Sequence, residues 1–292
     1  MRKMGGARAF MRWGGACISD SGGFQAMSLI KKASGKITDE GLWFKPPNEK
    51  RVLLTPEESV RYQLALGTDL VVVLDEYTHE GATDKEARES VERTIAWAKR
   101  SKDAFVRGCE REEIPEERRP YLIAVNQGGK NISLRKECNE RLAEIGFDGY
   151  GHGGDGFNAE RKLDMELSRV VAESAPTGAL LYGLGVGKPE DISRLYRQGY
   201  QIFDCVIPTR DARHGRLYFW KEPTPNLLID DFYVTAPPKR APKETYCDCH
   251  TCREVGWEYV AHLFAIGDTL SYRLATIHNL RFYAQLMEKL RA

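Results

Sequence analysis

Short apolar segments recur along the chain, and each of them ends in a polar residue or a glycine. Most are followed by a segment with helical periodicity. We predict strands at residues 16–20, 70–75, 121–125, 147–153, 179–182 and 202–207, and helices at 56–66, 84–100, 134–145, 160–172 and 189–198. Strands separated by helices form a parallel sheet, and this pattern is compatible with both an open doubly wound sheet and a closed barrel.

Residues that can carry chemistry follow the predicted strands. In parallel α/β folds, functional residues collect at the carboxyl ends of the strands. Those positions hold Asp20, Asp75, Gln127, Gly153 with Gly154, Leu184 with Gly185, and Asp204. Taken singly, an aspartate after a strand is often only a turn or N-cap residue. Six such strand ends together favour the mouth of a barrel around one small ligand.

The segment from 210 to 246 is rich in proline, arginine and aromatic residues and lacks clear periodicity. We predict a long insertion with a functional role there, because structureless loops of this length are otherwise uncommon inside a domain. We therefore divide the chain into two domains. Residues 1–209 form a (β/α) barrel with the reactive site, and residues 210–292 form the insertion, a metal-binding subdomain and a closing helix.

The composition is that of an ordinary globular protein, with 292 residues, 42% of them apolar and 29% charged. No apolar segment approaches the roughly 20 residues that cross a bilayer, so we expect a cytoplasmic protein. The net charge of +1 gives no general attraction for nucleic acid, and RNA binding would need a local basic patch. Charge runs usually form a solvated loop, and the residues that could instead form that patch are Arg210, Arg213, Arg216, Lys221, Lys239, Arg240 and Lys243.

Three of the seven cysteines, Cys247, Cys249 and Cys252, lie within six residues. In a chain expected in the cytosol, this spacing indicates a metal site rather than disulfides. The histidines that could complete the site are His250, His262 and His278. Three thiolates and one imidazole form a closed tetrahedral shell for zinc, which leaves no position for water. The sequence therefore predicts a structural zinc ion, and the spacing leaves the fourth ligand open.

Four segments, 19–25, 125–129, 203–210 and 247–278, resemble in sequence and order the tRNA-guanine transglycosylase family. The resemblance implies an α/β fold, a TIM-type (β/α)8 barrel with a zinc subdomain near its C-terminus. It also implies a pentosyltransferase that replaces guanine in tRNA, at the anticodon wobble position, with a 7-deazaguanine such as preQ1 or queuine. Two alternatives remain open: a related enzyme that acts on DNA, and a non-catalytic partner subunit of a transglycosylase.

The resemblance also implies roles for individual residues. Asp204 matches the nucleophile that forms a covalent ribosyl intermediate, and Asp20 matches the general acid and base, a division of labour similar to that of retaining glycosidases. Arg210 and Arg213 match positions that hold RNA through its phosphates. His278 matches the fourth zinc ligand.

The residues that the resemblance implies in binding the purine are Ser21, Phe24, Asp75, Gln127, Gly154, Leu184 and Gly185. Asp75 and Gln127 would pair with the edge of the base, and Gly154 would offer backbone groups to it. Phe24 and Leu184 would sandwich the ring. An acceptor-only carboxylate at Asp75 suits the N1–H and the exocyclic amine of guanine, and it rejects adenine.

The chain departs from the family pattern in three places. Only 19 residues precede Asp20, which is too few for a full βα unit, so we expect a barrel that lacks its first βα unit. An open edge of this kind favours a homodimer or a partner subunit. Tyr77 stands where the bacterial pattern has a small cysteine, and the acidic Asp155 follows the glycine pair. Either both residues alter which 7-deazaguanine fits, or the loop simply repacks around them.

Overall fold

The computed structural model describes residues 2–32, 35–154, 156, 162–222, 232–235 and 246–292. These residues divide into two compact units. The first unit comprises Met1–Gly183 and Tyr200–Ile202, and the second comprises Leu184–Gly199 and Phe203–Ala292. The functional division at residue 209 stays a prediction.

The first unit contains two sheets and six α-helices within the described residues. Its strands are β1 (Ile18–Ser19), β2 (Lys36–Thr38), β3 (Gly41–Phe44), β4 (Val52–Leu54), β5 (Leu70–Val72), β6 (Tyr121–Asn126), β7 (Gly149–His152) and β8 (Leu180–Gly183), and β9 (Ile202–Phe203) begins in it. Its helices are α1 (Gly6–Met11), α2 (Gly23–Lys32), α3 (Pro56–Leu66), α4 (Asp84–Arg111), α5 (Ile132–Ile145) and α6 (Met165–Ser174), with short 3-10 turns at Arg2–Met4 and Glu116–Arg118.

The large sheet has the strand order β1-β5-β6-β7-β8-β9, and the pairings from β1 to β8 are parallel. Each new parallel strand is added to the same edge of the sheet. A doubly wound sheet would instead reverse direction at a switch point. The order therefore decides between the two alternatives that periodicity left open. The predicted α/β class is confirmed, and the described residues supply a curled parallel half-barrel within a sheet of six strands.

A second sheet, formed by β2, β3 and β4 in antiparallel pairing, was not predicted. Its strands are three or four residues long, too short to show an alternating pattern. Leu42 of this sheet is fully buried in a cluster with Leu74 and Trp97. The indole nitrogen of Trp97 donates to the carbonyl of Asp39, 2.9 Å away, and so fixes the turn between β2 and β3.

Helices α3, α4 and α7 (Pro189–Tyr196) begin at the predicted residues. Helix α3 has the predicted bounds, and Thr55 caps it by accepting a hydrogen bond from the backbone nitrogen of Glu58 at 3.1 Å. Helix α4 runs to residue 111, beyond the predicted end at 100, because Phe105 and Cys109 continue its buried stripe. Helix α6 begins after Asp164, so its predicted start was too early at residues 162–164; residues 160 and 161 lie outside the described residues.

The second unit contains, in its described part, the elements α7 (Pro189–Tyr196), α8 (Ile207–Arg213), β10 (Leu217–Trp220), β11 (Phe232–Thr235), a π-helical turn at Thr251–Val255, α9 (Trp257–Ala265) and α10 (Leu270–Arg291). The predicted strand at 202–207 was too long, because the chain turns into α8 at Ile207.

The segment 210–246 was predicted to lack regular structure, and this was wrong for the part that the structure describes. It holds the end of α8 and the antiparallel pair β10–β11. Each of these strands has four residues and is aromatic on both faces, so neither shows the alternation that would identify it. Lys239, Arg240 and Lys243 of the predicted basic patch lie outside the described residues.

The second unit has an apolar core to which α10 contributes. It includes Leu217, Phe219, Trp257, Val260, Leu263 and Leu274. Phe282 of α10 stacks on Trp220 with ring centroids 4.4 Å apart. Among the helices that the structure describes in either unit, none is long and apolar enough to cross a membrane.

Candidate functional site

The turn between β1 and α2 carries Asp20 and Ser21. Asp20 is exposed, and its Oδ1 accepts a hydrogen bond from the backbone nitrogen of Ser21 at 2.7 Å. The Ser21 hydroxyl is buried and accepts from the backbone nitrogen of Gly23 at 3.2 Å. Ser59 of α3 donates to the Ser21 carbonyl at 2.8 Å. The hydrogen bonds of Ser21 and Ser59 thus fix the turn, and the Asp20 carboxylate is exposed to solvent.

Asp75 and Gln127, which follow β5 and β6, form a hydrogen-bonded pair. Gln127 is fully buried, and its Nε2 donates to Oδ2 of Asp75 at 2.6 Å. The backbone nitrogen of Thr78 donates to Gln127 Oε1 at 3.0 Å, which fixes the orientation of the amide. Burial raises the pKa of Asp75 to about 7, against the Gln127 hydrogen bond and with a contribution from the nearby charge of Asp20.

The glycine pair after β7 lies directly against Gln127. A Cβ atom at Gly153 would approach Gln127 Nε2 to 2.7 Å and a methyl group of Val125 to 2.4 Å. A Cβ at Gly154 would approach Gln127 Oε1 to 2.8 Å, and Gly154 has φ +73°, a left-handed conformation that favours glycine. Only glycine therefore lets this loop approach the buried amide so closely.

Phe24, the predicted stacking residue, offers an exposed aromatic ring. Its side chain is 57% exposed, and its ring meets that of Tyr77 edge to face with centroids 5.2 Å apart. Tyr77 itself packs against the apolar cluster that contains Leu42 and Leu74. The structure thus brings a stacking surface close to the half-buried Asp75 and the buried Gln127, a combination that suits a flat heteroaromatic base.

Asp204 belongs to the second unit. It is exposed directly after β9, and its Oδ1 accepts a hydrogen bond from the backbone nitrogen of Gly185 at 3.0 Å. Gly185 has φ +72°, and Leu184 before it is partly buried. Gly185, predicted to bind substrate, thus holds the predicted nucleophile in place.

Arg210 and Arg213, the predicted RNA-binding residues, lie on α8, and both are exposed. The Arg210 guanidinium lies 3.4 Å from Oδ1 of Asp211. Asp211 is buried and accepts a hydrogen bond from the hydroxyl of Tyr218 at 2.6 Å. The helix that carries the two arginines is therefore anchored to β10.

Three cysteines and one histidine converge in the second unit. The ligand atoms of Cys247, Cys249, Cys252 and His278 all lie within 4.8 Å of one another. Nδ1 of His278 is 3.8 Å from the sulfur of Cys249 and 3.3 Å from that of Cys252. A tetrahedral zinc ion with Zn–S bonds of about 2.3 Å spaces its ligand atoms by about 3.8 Å, so the cluster fits a metal ion of this kind.

The surroundings of His278 distinguish it from the other two candidate histidines. His278 is 1% exposed, and its Nε2 lies 2.8 Å from the carbonyl oxygen of Tyr218. Because a carbonyl only accepts, Nε2 carries the proton, and Nδ1 keeps a lone pair that points toward the thiols. His250 and His262 are exposed and lie outside the cluster. Of the three candidate histidines, His278 is the one that the structure brings to the thiols, and its role as the fourth ligand stays a prediction.

Comparison with known proteins agrees with this arrangement. A family model described as Queuine tRNA-ribosyltransferase matches residues 1–292. Proteins named Queuine tRNA-ribosyltransferase from Shewanella sp. (strain W3-18-1) and Shewanella baltica (strain OS155 / ATCC BAA-1091) are each 41% identical to the chain over 295 residues. The match covers 100% of the chain and 74% of each relative. This chain belongs to the queuine tRNA-ribosyltransferase family.

Family membership confirms the resemblance that the four sequence segments indicated, and with it the prediction of an enzyme of the pentosyltransferase class. The parallel half-barrel and the cluster of three cysteines and one histidine are consistent with the family fold. The roles of individual site residues remain predictions.

One residue that the structure places at this site, Arg135, was not predicted from the sequence. Arg135 has no exposed surface, and it reaches the loops after both β6 and β7. A signal for it does exist. Arg135 lies in the first turn of α5, where the helix dipole disfavours a cation, so a compensating interaction elsewhere is expected.

Proposed function

We propose that this member of the family exchanges a guanine of tRNA for a 7-deazaguanine such as preQ1 or queuine. The observation that carries the proposal is the hydrogen bond between the half-buried Asp75 and the buried Gln127, set among strand ends beside Asp20 and the glycine loop. A carboxylate next to an oriented amide matches the donors and acceptors on the edge of a guanine. By the family resemblance, the exchanged base lies at the anticodon wobble position.

The first half of the reaction removes guanine. The carboxylate of Asp204 attacks C1′ of the target nucleotide, and a C–O bond to the ribose forms as the C1′–N9 bond breaks. Asp20 donates a proton to the departing guanine and becomes a carboxylate. The Gly185 nitrogen orients Asp204 for the attack by donating to its Oδ1.

The second half reverses these steps with a different base. Asp20 removes the proton from N9 of the incoming 7-deazaguanine, and that nitrogen attacks C1′. The C–O bond to Asp204 breaks, and both carboxyl groups return to their starting protonation states. A balanced exchange therefore needs only these two residues and the two bases.

Recognition of both bases falls to the same groups. Asp75 and Gln127 pair with the edge of the base, and Gly154 and Ser21 contribute polar groups near it. Phe24 and Leu184 stack on its two faces. Adenine has a bare N1, where guanine has an N1–H, so the Asp75 carboxylate discriminates against adenine.

We further propose that zinc occupies the cluster of Cys247, Cys249, Cys252 and His278. Four protein ligands close the shell, so the ion when bound supplies folding stability and no catalytic water. Arg210 and Arg213 bind tRNA phosphates, and this binding should weaken as salt concentration rises. A cytoplasmic location fits a tRNA substrate, and a homodimer or a partner subunit remains our expectation for assembly.

Exchange of radiolabelled guanine into unmodified tRNA tests the proposal directly. Wild-type protein should incorporate label and should form a covalent RNA adduct that survives denaturing gels. Asp204→Asn should form no adduct, whereas Asp20→Asn, which keeps the nucleophile, should bind tRNA but turn over slowly. A folded, zinc-loaded wild-type protein that incorporates no label would contradict the proposal, and an adduct in Asp204→Asn would refute the choice of nucleophile.

The same assay separates the alternatives. An enzyme for DNA would incorporate label into single-stranded or duplex DNA in preference to tRNA. A non-catalytic partner subunit would show no exchange alone. The presence of both Asp20 and Asp204 speaks against that second alternative.

A further inference from the structure

The guanidinium of Arg135 lies between the loop after β6 and the loop after β7. Its Nε donates to the carbonyl of Gly129 at 2.7 Å, and its Nη1 donates to Oδ1 of Asn126 at 3.1 Å. Its Nη2 donates to the carbonyl of Gly153 at 3.0 Å. One buried side chain on α5 therefore ties together two loops that follow different strands.

The backbone closes tightly around this side chain. A Cβ at Gly128 would lie 2.9 Å from the backbone nitrogen of Arg135 and 3.1 Å from its Cγ, and a Cβ at Gly154 would lie 3.4 Å from Nη2. His152, the last residue of β7, is buried close by. Burial and the charge of Arg135 hold the pKa of His152 well below the usual range, so His152 is neutral and does not repel the guanidinium.

We infer that Arg135 is a positioning residue that sets the spacing between Gln127 and Gly154. The inference rests on the proposed function, since it assumes that these two residues read the purine. In this proposal the Arg135 guanidinium does not contact the base. It holds the backbone on both sides of the base edge by donating to carbonyls of the neighbouring glycines, Gly129 and Gly153.

Arginine suits this task better than lysine. The planar guanidinium directs its donors along fixed lines on several sides, whereas an ammonium is a compact point on a flexible stem. A lysine at 135 keeps the charge but cannot reach Gly129, Asn126 and Gly153 together. The two loops would then move relative to each other while the Asp20 turn and the second unit stay unchanged.

The test compares Arg135→Lys with wild type in guanine exchange. We expect Gln127 and Gly154 to bind the base equally in the ground state and the transition state, so the KM for guanine should rise about tenfold or more while kcat stays within about threefold. The KM for tRNA should not change. Asn126→Ala, which removes one of the three acceptors, should raise the KM for guanine by a smaller factor and serves if Arg135→Lys does not fold.

Leu142→Ala is the matched control. Leu142 is equally buried on α5, seven residues beyond Arg135, and its apolar side chain forms no hydrogen bond to either loop. It should lower the melting temperature without raising the KM for guanine selectively. An unchanged KM for guanine in both Arg135→Lys and Asn126→Ala would overturn the inference, as would equal losses in all three variants. Wild-type protein without exchange activity would instead refute the proposed function.

Discussion

Replacing Asp75 by asparagine should stabilise the protein much more at alkaline than at acidic pH. In the folded protein, burial raises the pKa of Asp75 to about 7. An aspartate in the unfolded chain has a pKa of about 3.9. The folded state thus keeps this proton to a higher pH than the unfolded state does. The stability that the protonated carboxyl contributes is complete below about pH 4 and is lost as the pH rises through about 7.

The size of the effect follows from the width of this window. Each pH unit between the two pKa values changes the free energy of unfolding by about 1.4 kcal/mol. About two of the three units lie between pH 5 and pH 7, which corresponds to about 3 kcal/mol. This is an upper limit, since Asp75 is partly exposed and water stabilises its charge. Asparagine cannot ionise, yet its oxygen can still accept from Gln127 Nε2.

Denaturant unfolding of the zinc-loaded protein at pH 5 and pH 8 measures this difference. The free energy of unfolding of Asp75→Asn, taken relative to wild type, should rise by up to about 3 kcal/mol from the lower to the higher pH. Ser59→Ala is the control, because it removes the hydrogen bond to the Ser21 carbonyl but no ionisable group. Its destabilisation should be the same at both pH values. A pH-independent difference for Asp75→Asn would refute the raised pKa of Asp75.

Three further predictions concern the base pocket and the metal. Because the ionised carboxyl of Asp75 binds guanine in our proposal and its pKa is raised to about 7, the KM for guanine should rise about tenfold between pH 8 and pH 6 in steady-state assays. Gly154→Ala should raise that KM as well, since its Cβ would lie 2.8 Å from Gln127 Oε1, while the KM for tRNA stays constant. Cys249→Ser should lose zinc measured by mass spectrometry and melt at a lower temperature, because structural zinc sites contribute about 10 kcal/mol of apparent binding free energy.

The sequence predicts features whose causes are local. Helix α3 was predicted at its observed bounds because the Thr55 cap and the proline after it act within one turn. The three cysteines indicated a metal because they lie within six residues. The choice of His278 required the fold, since α10 brings it to Cys252 across 26 positions of sequence and Tyr218 O holds its ring.

Other features depend on contacts that no window of sequence contains. Gln63 of α3 is an example, because its buried amide bonds both Val72 of β5 and Ser19 of β1. Strands as short as β2 and β10 are stabilised by pairing with a neighbouring strand and by packing against aromatic side chains. Their own residues show no periodicity that would predict them. Arg135 was overlooked for the same reason, since its acceptors lie in two loops that only the parallel sheet brings side by side.

The proposed base site combines a fixed backbone with a carboxyl group that can change its protonation. Gln127 forms hydrogen bonds with both Asp75 and Thr78, which offsets part of the cost of burying these groups. In our proposal, a bound guanine brings N–H donors to Asp75, and these favour the ionised carboxyl over the protonated one. Binding of guanine near neutral pH should therefore release a proton from Asp75. In this proposal the backbone stays in place, because Arg135 and the glycines hold both loops. The change on binding is the loss of the Asp75 proton beside the Gln127 amide.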